Sequence, residues 1–177
     1  MKFEVRELPT KEWPRALHEI PEPPRKLYVR GSMPRDAHHY LTVVGSRKYS
    51  TYGKETTRTL IGGLRGYPIS IVSGLALGID MLAHEAALDA GLHTIAVPGS
   101  GINDDVLYPR AHVGLAHRIL ASGGVLLSEF EPHFKTAKSS FAERNRIMAG
   151  IARATLVIEA GNKSGTLITA RLATEYN

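Results

Sequence analysis

The stretch "ISIVSGLALGIDMLAHEAALDAG", residues 69–91, decides how the chain is read. It opens on a short β-branched apolar run ending at Ser73-Gly74, the pattern of a strand buried on both faces. Ile79, Leu82, Ala83 and Ala86 then share one face of a helical period, and Gly91 stops it. The unit recurs in both directions. Upstream, "LTVVG" (41–45) leads into a helix over 53–66 with Thr57, Leu60, Ile61 and Leu64 turned inward and Gly66 as its stop. Downstream, strands at 93–99, 125–130 and 155–161 alternate with helices at 110–124, 141–153 and 164–176. Five alternations of buried strand and helix predict an α/β fold, with a mostly parallel sheet and helices on both faces.

In such sheets ligands sit beyond the carboxyl ends of the strands. The residues there are Gly45-Ser46-Arg47, Ser73-Gly74, Pro98 to Gly101, Ser128-Glu129, and Glu159 with Ser164-Gly165-Thr166. Glycine and hydroxyl residues on this rim predict backbone N–H groups open to an anion. Residues 1–40 differ: Pro21, Pro23, Pro24 and Pro34 predict an extended lead-in, with "KLYVRG" (26–31) as a short edge strand. The division expected is a proline-rich lead-in over 1–40 and a core over 41–177.

With 177 residues, 43% of them hydrophobic, the chain suits one soluble domain. No apolar run is long enough to span a membrane, and the N-terminus has no signal-like core. The lack of cysteine excludes disulfides and thiolate metal sites and favours a cytoplasmic setting. A formal charge of +5 permits a nucleic-acid or phosphate partner without requiring one.

Several enzyme signatures fail. "GSRKYSTYGKET" has the wrong spacing for a P-loop and Glu55 where a hydroxyl belongs, and no G-x-G-x-x-G follows a strand. "HEAAL" has Leu88 where a zinc helix needs histidine, and the tandem His38-His39 reads as solvated loop. No metal and no cofactor are expected. Asp80 and His84 lie four apart on one helical face, a spacing that allows a hydrogen bond. They form either an oriented base or, more simply, a polar pair lining a pocket.

"KTAKSSFAERNRIMAG" (135–150) sets Phe141 among Lys135, Lys138, Arg144 and Arg146. On one reading Ser140-x-x-Glu143 is a capping box, Ile147, Met148 and Ile151 are buried, and the arginines are solvated. On the other, the cations meet phosphates and Phe141 meets a base. Local pattern leaves both open. Tyr49 and Tyr52 are further stacking candidates, or turn residues packed on their neighbours.

Together "VVGSRKYSTYG", "IVSGLALGIDMLAHEAAL", "TIAVPGSGINDDVLYPRAH", "LLSEF" and "FAERNRIMAGIARATLVIEAGNKSGTLITARLATE" resemble the DprA/Smf family of DNA-processing proteins, over about residues 12–177. The resemblance implies an extended Rossmann-like fold that binds single-stranded DNA without catalysis. It also implies protection of incoming DNA in natural transformation, loading of RecA recombinase, and a homodimer. By position it assigns a phosphate to Gly45, Ser46 and Arg47, with Ser73 and Gly74 lining the same pocket. Lys138 becomes a DNA contact and Phe141 a stacking ring, Arg144-Asn145-Arg146 the "RNR" signature, and Ser164, Gly165, Thr166 and Thr169 the final turn. Asp80, His84, Glu129, Glu159 and Thr169 become pocket-lining residues.

Leu77 departs from the family, where a polar residue is common, and the N-terminal helical module common in members is expected to be missing. The chain stops at Asn177 inside an expected helix, so a core truncated at its C-terminus is expected, with dimer and RecA contacts in question. The competing readings are a small-nucleotide sensor and a nucleoside monophosphate phosphoribohydrolase. The latter is disfavoured because Thr169 stands where its catalytic Glu belongs.

Overall fold

The computed structural model of the chain describes residues 3–34, 38–162 and 164–176. Apolar runs at 39–44, 69–73, 93–96, 125–128 and 154–157 form the parallel part of the sheet: β3 (His39–Val44), β4 (Ile69–Ser73), β5 (His93–Ala96), β6 (Val125–Ser128) and β7 (Ala154–Val157). Two further strands precede them, β1 (Val5–Glu7) and β2 (Tyr28–Gly31). The strand order is β1-β2-β6-β5-β4-β3-β7. β3 to β6 run in chain order across the sheet, and β7 then returns to the far side of β3. The mostly parallel α/β architecture is as the alternation predicts.

The lead-in departs from its expected role. "KLYVRG" is not at the edge: β2 pairs antiparallel with β6 on one side and with β1 on the other. Leu8, Leu17 and Leu27 are fully buried, so residues before 40 help build the core. The place of β2 rests on its pairing with β6, Tyr28 opposite Ser128, which a local period does not contain.

Strand side chains alternate between two apolar layers. Val44, Val72, Ile95, Val97, Val125 and Leu127 face Ile147, Met148 and Ile151 of α4 (Lys138–Ile151), with Leu17 and Ile20 of the lead-in. Val43, Ile71, Ala96 and Leu126 face the opposite layer, made by α1 (Thr51–Gly62), α2 (Ile79–Asp89) and α3 (Val113–Ala121). α5 (Gly165–Tyr176) packs beside α4. In α1, Thr57 and Ile61 are buried as expected, whereas Leu60 is 46% exposed and belongs to the solvent face.

α4 corrects the expected capping box. The helix begins at Lys138 rather than after Ser140, which sits in the first turn. Ser140 Oγ accepts from the Ala137 N–H at 3.1 Å and lies 2.7 Å from the Gly99 carbonyl. It thus fixes the helix start against the loop after β5.

His84 is another correction. It is a fully buried residue of α2 and makes no bond to Asp80. Thr94 Oγ1 donates to the Ile71 carbonyl, so it accepts from His84 Nδ1 at 2.8 Å. Among the described residues, His84 Nε2 has no partner. Burial pushes the imidazole down to about 3, with His112 and Arg144 adding to the shift and the Ser73 backbone opposing it.

Two outcomes test this core. Ile95→Ala in the central β5 lowers unfolding free energy by about 2–5 kcal/mol, read as a shifted urea midpoint at unchanged slope. For His84 the folded pKa lies below the unfolded one, so the unfolded chain takes the proton first as pH falls. Its contribution is complete above pH 6.5 and is lost on the way down toward about 3. Wild type therefore loses stability faster than His84→Gln between those limits, by about 1.4 kcal/mol per pH unit. Parallel pH profiles of urea unfolding would refute the buried neutral histidine.

Candidate nucleic-acid interface

The return of β7 to the outer side of β3 creates a topological switch, and a crevice opens beyond the carboxyl ends of those two strands. Its volume is about 770 Å³. Three helices present their N-termini to it: α2 near Asp80, α4 with Lys138 and Phe141, and α5 with Ser164 to Thr166. Their dipoles favour an anion there. Arg47, Lys48 and Lys138 are exposed on its walls, and Asp80 is the single carboxylate among the described lining residues.

The loop after β3 is shaped by close contacts. Ser46 N–H donates to the Glu159 carbonyl (2.8 Å), and the Ser46 carbonyl accepts from Ile79 N–H at the start of α2 (3.1 Å). Gly78, at φ +86°, lets this approach occur, since a Cβ there would lie 2.2 Å from the Ser46 oxygen. On the β7 side, Thr166 Oγ1 donates to the Gly45 carbonyl at 2.9 Å. Ser164 Oγ accepts from the Thr166 N–H, closing the turn into α5. Thr169 is buried against the crevice floor.

Below the crevice lies a buried ionic brace. Arg144 is 5% exposed, and its Nη1 donates to the carbonyls of Gly74 (2.7 Å) and Val97, while its Nε donates to Asn145 Oδ1 (3.2 Å). Asp80 Oδ2 accepts from the N–H groups of Gly74 (3.0 Å) and Ala76 (3.4 Å). Burial pushes the Asp80 carboxyl up, and Arg144 with the two N–H groups opposes that. Burial also brings the Arg144 guanidinium down to about 10, with Asp80 acting against it.

Of the sequence candidates, Gly45, Ser46, Arg47, Lys138, Phe141, Asp80, Ser164, Gly165, Thr166 and Thr169 converge on the crevice. Arg144 and Asn145 reach its floor as braces rather than as free groups. Others stand apart. Ser73 Oγ is spent on the Val43 carbonyl (2.7 Å), and His84 lies in the core. Arg146 pairs with Glu129 and donates to the Glu22 carbonyl (2.9 Å), so it ties α4 to the lead-in. Burial raises Glu129, with Glu143 adding to that and Arg146 opposing it. Glu159 accepts from Ser50 N–H (3.0 Å) and Oγ (2.7 Å), bracing the start of α1. Neither Tyr49 nor Tyr52 lines the crevice.

An aromatic edge adjoins the cations. The Arg47 guanidinium sits 5.5 Å from the centre of the Phe141 ring. Phe141 in turn packs on Gly99, where a Cβ would lie 2.6 Å from the ring. Tyr108, which no local pattern singles out, has its ring centre 5.6 Å from that of Phe141, tilted by 58°. The only sequence signal for it is an aromatic in the long loop after β5.

Comparison with known proteins identifies the family. Residues 5–177 match the family model for DNA recombination-mediator protein A. Protein Smf of Synechocystis sp. is 42% identical over 170 residues, which are 94% of this chain and 42% of that protein. The chain thus spans less than half the length of that relative. The structure of DNA processing protein A (DprA) from Streptococcus pneumoniae superposes with a TM-score of 0.87 at 39% identity, over 99% of this chain and 60% of that one. A structure of DNA processing protein A from Helicobacter pylori, described for its single-stranded DNA binding mode, gives 0.86 at 34% identity, over 98% and 78%. Its parallel core, its switch-point crevice and these matches lead to one assignment: the chain belongs to the DNA recombination-mediator protein A family, that of DprA and Smf.

Proposed function

We propose that the crevice binds single-stranded DNA without regard to sequence and without catalysis. The observation that carries this is the wall where Arg47 lies over the ring of Phe141, with Lys48 and Lys138 lining the same crevice. A cationic track with a flat apolar face is what sequence-neutral single-strand binding requires. The relative from Helicobacter pylori, whose structure is described for single-stranded DNA binding, supports the same reading. In the bound state Arg47, Lys138 and the helix N-termini hold phosphates, and Arg47 yields the face of Phe141 to a base. The strand-end carboxylates do not favour the hydrolase alternative: Glu129 is paired with Arg146, and Glu159 holds Ser50. Protection of incoming strands, delivery to RecA recombinase, homodimerisation and a cytoplasmic setting are proposed on family membership.

Fluorescence anisotropy with oligo-dT and a matched duplex tests the binding. The single strand is preferred, and Phe141→Ala costs about 1–3 kcal/mol. Lys138→Ala lowers the log–log salt slope by about 0.7, as removal of one phosphate-bound cation does. Equal affinity for the duplex, or binding undiminished by Arg47→Ala, would sink the proposal. Release of free base from a nucleoside monophosphate would favour the hydrolase instead.

A further inference from the structure

Beside the crevice, Tyr108 is 45% exposed although it follows the fully buried Leu107, and Leu77 is 50% exposed two residues after the fully buried Leu75. With Arg47, Ala76, Pro109 and Phe141 they line a shallow recess. The mount is rigid. Ile102 and Leu107 anchor the loop in the core, and the Tyr108 N–H donates to the buried Ser100 Oγ at 3.3 Å. Apolar and aromatic groups held out to water beside a cationic wall mark a contact surface rather than a packing need.

We propose that Tyr108 is a second base-stacking residue, whose ring takes a nucleobase next to the one on Phe141. The inference rests on the single-strand reading of the crevice and extends it along the strand. The geometry gives it a selective consequence. Rings tilted by 58° with centres 5.6 Å apart do not both lie parallel to bases kept in one pile. Each ring therefore takes its own base, splayed from its neighbour. A single strand permits that, and a stacked duplex resists it. Arg47, in the recess as well as on the Phe141 ring, lies where the phosphate joining the two nucleotides would pass. Because every base has a π face, the pair adds affinity without reading sequence.

The test is anisotropy with labelled oligo-dT over a range of salt. Tyr108→Ala binds about 5- to 160-fold more weakly, with the salt slope unchanged because the substitution removes no cation. Tyr108→Leu, which can still pack on Phe141 but offers no π face, loses as much as the alanine variant. Tyr108→Trp keeps the affinity and is quenched by oligo-dT beyond any change from Trp13 in wild type. Wild type that fails to bind oligo-dT overturns the crevice reading and this inference together. Wild type that binds while Tyr108→Ala binds equally overturns the inference alone. So does wild-type affinity in Tyr108→Leu, or a salt slope lowered in Tyr108→Ala. Should the alanine variant fail to fold, an unquenched Tyr108→Trp has the same force.

Discussion

The buried guanidinium of Arg144 is the constraint on which the crevice depends. An arginine taken out of water destabilises the fold unless its donors are met. Here they are met by the Gly74 and Val97 carbonyls and by Asn145 Oδ1. The first two lie at the carboxyl ends of β4 and β5, and Arg144 itself lies on α4. Asp80 completes the arrangement by taking the N–H groups of Gly74 and Ala76. The loops after two strands and the helix bearing Lys138 and Phe141 are thereby set in one frame. The cationic and aromatic sides of the crevice owe their relative position to this brace, although neither residue needs to meet a ligand.

The core strands and helices are legible in the sequence because each carries its own evidence. The run at 69–73 and the face made by Ile79, Leu82, Ala83 and Ala86 need nothing from the rest of the chain to be recognised. The three-residue β1 is not, and β2 is legible as a strand but not in its place, because that place is set by pairing with β1 on one side and the distant β6 on the other. Leu60 misleads for a related reason. A helical face is broader than the part a neighbouring element covers, and only the packed structure shows where the cover ends.

At the site, sequence places at the crevice the residues that follow a strand: Gly45, Ser46, Arg47, Ser164 and Thr166. It misjudges those whose role depends on a distant partner. Arg146 has the look of a free cation until Glu129 and the Glu22 carbonyl come to meet it. Arg144 does leave a local signal. It lies three and four residues before Ile147 and Met148 and four after Ser140, all of them buried, so it falls on the inner stripe of α4. An arginine on an apolar stripe is better read as a brace than as a surface charge.

The rim's glycines and hydroxyls take on a different meaning for the same reason. In the sequence they suggest N–H groups open to an anion, yet Ser46, Gly74, Ala76 and Thr166 already donate within the protein. Much of that backbone is therefore structural, letting loops approach where a Cβ would collide. On the proposed single-strand reading, attraction for a phosphate falls instead on the three helix N-termini and on the long cationic side chains at the wall. A fixed nest of N–H groups would hold one phosphate at one point, as a nucleotide site does. Long cations beside flat rings tolerate a backbone that varies from step to step, which suits a strand of any sequence.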